Sequence, residues 1–148
     1  MKEKILGTMY FPEKIDITDP CYNHDVWCRI NDYKIPAGEY ECYIKEKSDK
    51  ETGGCGKRVA KIGIRREKAD NYTKIGYIGV DAGLAGFFFD KPDYTDDQWN
   101  DFCNMVRNGN AWMIDYGFFS ESGYGDGSYN VYVGHKDGEV VEVFIDFI

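Results

Sequence analysis

Ser128-Tyr129-Asn130-Val131-Tyr132-Val133-Gly134-His135-Lys136-Asp137-Gly138-Glu139-Val140-Val141-Glu142-Val143-Phe144-Ile145-Asp146-Phe147-Ile148 reads as two strands joined at Asp137-Gly138. Asp-Gly suits the two-residue type I′ turn, in which both residues need positive φ. That turn pairs Lys136 with Glu139, and carried along the strands it sets Tyr132 against Val143 and Val131 against Phe144. Val141, Val143, Ile145 and Phe147 then share one face, while Glu142 and Asp146 interrupt the other.

Working outward, the same period of two recurs. Ile5 to Phe11 is short, apolar and aromatic, and Glu39 to Glu46 alternates Tyr40, Cys42 and Ile44 with Glu41, Tyr43 and Lys45. Lys57 to Arg66 alternates again around Ile62 and Ile64, after the polar loop Ser48 to Gly56. Ile75 to Val80 and Leu84 to Phe89 are more continuously apolar, as strands covered on both faces are. One helix is expected over about 95–107. Thr95 with Gln98 forms a capping-box pattern, Asp96 and Asp97 fall in the first turn, and Trp99, Phe102, Cys103 and Val106 make an apolar stripe. Many short strands with one amphipathic helix make a mainly β fold, a β-sandwich or partly open barrel, in a single domain spanning 1–148.

Composition narrows the function classes. The 148 residues carry a net charge of −8 and are 43% apolar, which excludes a disordered or collagen-like chain. The acidic balance argues against nucleic acid and against an anionic membrane surface, both of which are held by Lys and Arg. No stretch approaches the roughly 20 apolar residues a membrane-spanning helix needs. Five cysteines cannot all pair. With no export signal at the N-terminus, they read as free thiols in a reducing compartment, the cytoplasm. Charge is uneven: Lys45 to Lys68 carries +5 and the remainder −13, with Asp90 to Asp101 densely acidic. Two solvated faces account for this, or a basic strand pair that meets an anionic partner.

Three segments hold more glycine and acid than a plain sheet needs: Asp16 to Tyr22, Gly79 to Phe88 and Phe118 to Tyr129. Here the chain resembles a family. Asp19-Pro20, Pro36-Ala37-Gly38-Glu39-Tyr40, Arg58-Val59-Ala60, Val80-Asp81-Ala82-Gly83 and Ser122-Gly123-Tyr124-Gly125-Asp126-Gly127-Ser128-Tyr129 stand in an order that resembles the bacterial domain-of-unknown-function family numbered 4241. The resemblance spans roughly Asp16 to Ile148 and implies kinship of fold; it brings no activity with it.

The candidate binding site is Asp19, Tyr22, Asp81, Tyr124, Asp126 and Tyr129, the carboxylates and phenols of those segments. Tyr joins a rigid ring to a polar tip, which suits binding surfaces. Were Asp19, Asp81 and Asp126 to converge, they could hold Mg²⁺ or Ca²⁺ and activate water, as in a metal-dependent hydrolase. Asp beside Gly or Pro is equally the ordinary composition of turns. Cys21, His24 and Cys28, with Cys42 or Cys55 as a fourth ligand, make only half of a zinc motif. Cys21 with His24 is also the one candidate nucleophile pair. Gly123, Gly125 and Gly127 precede a strand rather than a helix, so they do not form a phosphate loop, and no cofactor is expected. The expected function is a non-catalytic ligand- or protein-binding module. An acidic domain of this kind suits a basic protein partner, including a toxin neutralised by an immunity-type protein. The metal-dependent hydrolase is the alternative.

Overall fold

The computed structural model describes residues 1–148 and consists of two antiparallel sheets and one helix. The strands are β1 Lys2–Phe11, β2 Lys14–Thr18, β3 Ile30–Lys34, β4 Gly38–Lys47, β5 Arg58–Arg65, β6 Asn71–Val80 and β7 Leu84–Phe88. After the helix α1, Asp96–Met105, come β8 Ala111–Ile114, β9 Gly117–Glu121, β10 Gly127–Lys136 and β11 Glu139–Asp146. A six-stranded sheet runs β1-β4-β5-β11-β10-β6 and a five-stranded sheet β3-β2-β7-β9-β8. The first and last strands share the larger sheet, so the two ends of the chain build one body. This is a β-sandwich and not a closed barrel, and no helix is long and apolar enough to cross a membrane.

Between the sheets lie Tyr40, Cys42 and Ile44 of β4, Ile62 and Ile64 of β5, and Val143 and Ile145 of β11, facing Ile15, Ile17, Phe87 and Phe118. A second, smaller core lies outside the five-stranded sheet, where α1 sets Phe102 against Leu84, Phe88 and Phe119. That third layer explains the continuous apolar run of β7: Ala85 and Phe87 face the sandwich interior, while Leu84 and Phe88 face the helix. The helix starts as its cap pattern requires, with Thr95 accepting from the Gln98 amide and the Gln98 side chain accepting from the Thr95 amide.

The hairpin turn forms as expected, with Asp137 at φ 50 and Gly138 at φ 80, and Lys136 opposite Glu139. Its register needs a correction. A bulge at Val141 of β11, opposite the step from Gly134 to His135, adds one residue, so Tyr132 lies opposite Phe144 and Val131 opposite Ile145. The bulge keeps Val131 and Val133 on the same inner face as Val143 and Ile145, which the unbulged pairing would not have done. Four short strands lie outside the expected set: β2, β3, β8 and β9 have at most five residues each. All five cysteines are free thiols.

Candidate functional site

Two turns meet at one end of the sandwich. The first, Asp81-Ala82-Gly83, joins β6 to β7, and the buried carboxylate of Asp19, just past β2, holds it. One Asp19 oxygen accepts from the amides of Asp81 at 2.9 Å and Ala82 at 2.7 Å, and the other from Cys21 at 2.9 Å. Burial pushes the Asp19 carboxyl above its ordinary range, and the three amide donors pull against that by favouring the anion. The second turn, Ser122 to Gly125, is locked to the first by Ser122 N donating to Gly83 O at 3.0 Å. Within it, Ser122 Oγ donates to Gly125 O at 2.9 Å. The Tyr129 hydroxyl reaches back to Gly125 O at 2.6 Å, with Ser122 O at 3.1 Å sharing the same proton, and its ring meets Phe147 edge-on. Asp19 and Tyr129 therefore fix the loops, with their polar atoms consumed inside the chain.

Locked side by side, the turns form one wall of a cleft of about 570 Å³ whose other wall is α1 and β8. Trp99 and Cys103 face it from the helix, Trp112 from β8, Arg58 from the start of β5, and Asp81, Glu121 and Tyr124 from the turns. The indoles are held: Trp99 stacks on Phe102 at 5.3 Å, Trp112 stacks on Phe119 at 5.3 Å, and Trp112 Nε1 donates to Asn108 O at 2.8 Å. The Arg58 guanidinium lies 5.4 Å from the centre of the Tyr124 ring while its Nε donates to Cys55 O. Asp81 and Glu121 are exposed, and neither enters an ion pair within the chain.

Of the six expected binding residues, the structure thus brings Asp81 and Tyr124 to the cleft. Tyr22 lines a neighbouring hollow of about 310 Å³, its hydroxyl pushed up by burial and by the Cys28 thiol beside it. Asp126 is exposed and outside both. Trp99, Trp112, Glu121 and Arg58 were not expected there. The helical stripe announced Trp99 and Cys103 as apolar, and that period is the same whether a stripe faces a core or a cleft.

The metal and nucleophile readings meet geometry that does not suit them. No three His, Cys, Asp or Glu side chains converge in a way that could hold a metal ion. Among the carboxylates, both Asp19 oxygens are taken by amides; among the thiols, Cys28 is packed beneath Gly79 and Cys42 lies in the core, while His24 is exposed and bonds through its backbone. Burial, then the Asp19 carboxylate, pushes the Cys21 thiol well above its ordinary range, which disfavours the thiolate a nucleophile needs.

A further hollow of about 490 Å³ near Tyr10, Asp16, Asp32 and Asp90 contains more acid. Asp16 there is engaged by Arg29 at 3.1 Å and by the Asp32 amide at 2.9 Å. Set against known proteins, the chain matches no family model, no curated protein and no solved structure.

Proposed function

We propose that this chain is a non-catalytic binding module whose cleft takes a guanidinium or ammonium group from a basic protein partner. One observation carries the reading: two exposed carboxylates that enter no ion pair within the chain, Asp81 and Glu121, line one cleft with the rings of Trp99, Trp112 and Tyr124, of which only Tyr124 carries a cation of the chain's own, Arg58. Ring faces attract cations by about 0.5–2 kcal/mol, and a carboxylate accepts a guanidinium in parallel hydrogen bonds. The net charge of −8 steers a basic partner toward the molecule. Kinship with the domain-of-unknown-function family numbered 4241 belongs to this reading, as does a cytoplasmic setting, which five free thiols suit. A toxin neutralised by an immunity-type protein is one partner of the required charge.

The test is a calorimetric titration with N-acetyl-arginine amide, using the uncharged citrulline analogue as control. The arginine derivative is expected to bind and the citrulline analogue not. Asp81→Asn with Glu121→Gln is expected to weaken binding by roughly tenfold, which corresponds to about 1.4 kcal/mol. Equal binding of the two probes would overturn the proposal.

A further inference from the structure

The cleft does not end at Trp99. The same indole also lines the 310 Å³ hollow beyond it, whose other walls include Tyr22, Val26, Tyr94 and Asp96. The two hollows repeat one chemistry: aromatic rings beside exposed carboxylates without a partner cation, Asp81 and Glu121 in the first and Asp96 in the second. The chain itself shows that rings on both sides hold cations, for Arg58 lies over Tyr124 at 5.4 Å and Lys91 over Tyr94 at 4.3 Å.

We propose that the two hollows form one groove for an extended polypeptide segment that places a basic side chain in each, Trp99 standing between them. The inference rests on the cationic reading of the cleft and deepens it to a class of partner. Three features favour a protein segment over a free polyamine. First, an extended chain directs every second side chain to one face at about 6.6–6.8 Å intervals, so two positions of one strand can serve adjoining hollows. Second, the segment Cys21 to Arg29 that walls the second hollow is fixed in advance. Arg29 donates to Tyr22 O at 2.8 Å, to Asn31 at 2.6 Å and to Asp16 at 3.1 Å, while His24 N donates to Asp93 at 2.8 Å. A wall held this firmly loses little freedom when a ligand docks. Third, Trp27 adjoins Val26 and is 80% exposed, offering a large rigid side chain to a partner surface that continues beyond the groove.

The experiment titrates the full chain with three probes: an acetylated pentapeptide of glycine with one arginine, the same peptide with two arginines separated by one to three glycines, and spermidine. The two-arginine peptide is expected to bind at least about tenfold tighter than the one-arginine peptide at one preferred spacing. Asp96→Asn and, separately, Tyr22→Ala are expected to bring that ratio to about one, with thermal melts confirming that each variant is folded. A ratio near one in the unaltered chain, or a ratio surviving both substitutions, would overturn the groove while leaving the cleft reading intact. Binding of neither peptide would overturn both. Spermidine binding as tightly as the two-arginine peptide would assign the groove to a free polyamine and overturn the protein segment.

Discussion

On the outer face of the five-stranded sheet, Gly86 lies opposite Phe119 and Gly117 opposite Phe88; on the outer face of the six-stranded sheet, Gly63 lies opposite Tyr43 and Gly134 opposite Tyr72. Both faces set glycine against an aromatic residue, and they finish the arrangement differently. Phe88 and Phe119 stack on each other at 5.8 Å and are roofed by α1 through Phe102. Tyr43 and Tyr72 have no roof. Their hydroxyls converge on Glu142, Tyr43 on one oxygen and Tyr72 on the other at 2.8 Å, and the carboxylate is only 4% exposed. Above Tyr43 lies the Arg65 guanidinium, 4.5 Å from the ring centre and paired with Glu3. An apolar ring pair on a sheet face needs another element to keep water away. Phenols carry their own hydrogen-bonding group, so a face built from them closes over a carboxylate and needs no further layer.

The largest expected effect is on the roofed side. A Cβ at residue 86 would lie 2.1 Å from the Phe118 carbonyl oxygen, which is backbone and cannot yield. Gly86→Ala is expected to cost more than about 3 kcal/mol in urea denaturation, or to prevent folding. Gly63→Ala meets the Tyr43 ring at 2.4 Å, and a side chain can move, so about 1–3 kcal/mol is expected. Equal costs would mean that the unroofed face is as rigid as the roofed one, and the contrast would fail.

Next comes Tyr43→Phe, expected to cost about 1–3 kcal/mol because it strips a buried carboxylate of a donor. Tyr72→Phe is expected at about 0.5–1 kcal/mol, since Tyr72 is half exposed and water can replace its hydroxyl. A reversed order would place the weight of the network on Tyr72.

The smallest effects are alkaline and run in opposite directions on the two sides. Burial, with Arg29 adding to it, lowers Lys91 beside the helix to about 8, so its charge opposes folding below that pH and stability rises from about pH 8 toward the unfolded value of 10.5. On the open face, burial and Glu142 raise Tyr72 to about 12, so the stability it contributes below pH 10 is lost as pH rises from 10 through 12. Tyr72 is half exposed and Lys91 keeps partial access to water, so solvent screens both shifts and each slope is expected to amount to about 1 kcal/mol. Lys91→Met should flatten the rise and Tyr72→Phe the fall in melts taken across that range.

Particular residues show what could be read from the chain alone. The Asp137-Gly138 turn, the Thr95 cap and the alternation of β4, β5 and β11 were legible, because each depends on neighbours within a few positions. The bulge at Val141 was not, since a bulge answers to which face of the paired strand is buried. Nor were β2, with Asp16 amid its isoleucines, and β3, whose Asp32 has φ 52. At the site, Asp81 and Tyr124 were legible because unusual turn composition pointed to them. The two indoles were not: Trp99 read as core, and Trp112 belongs to a four-residue strand.

Carboxylates divide the two kinds of knowledge most clearly. The order of residues by itself determined that this is an acidic, mainly β chain with one capped helix and a Gly-Asp turn at its closing hairpin. Only tertiary structure decided that Asp19 and Glu142 are buried while Asp81 and Glu121 stand open in a cleft. Asp19 is buried by amides 62 and 63 positions away, and Glu142 by a hydroxyl 99 positions away. Periods and caps act over one turn of chain, whereas the cost of burying a charge is set by whichever groups the fold brings against it.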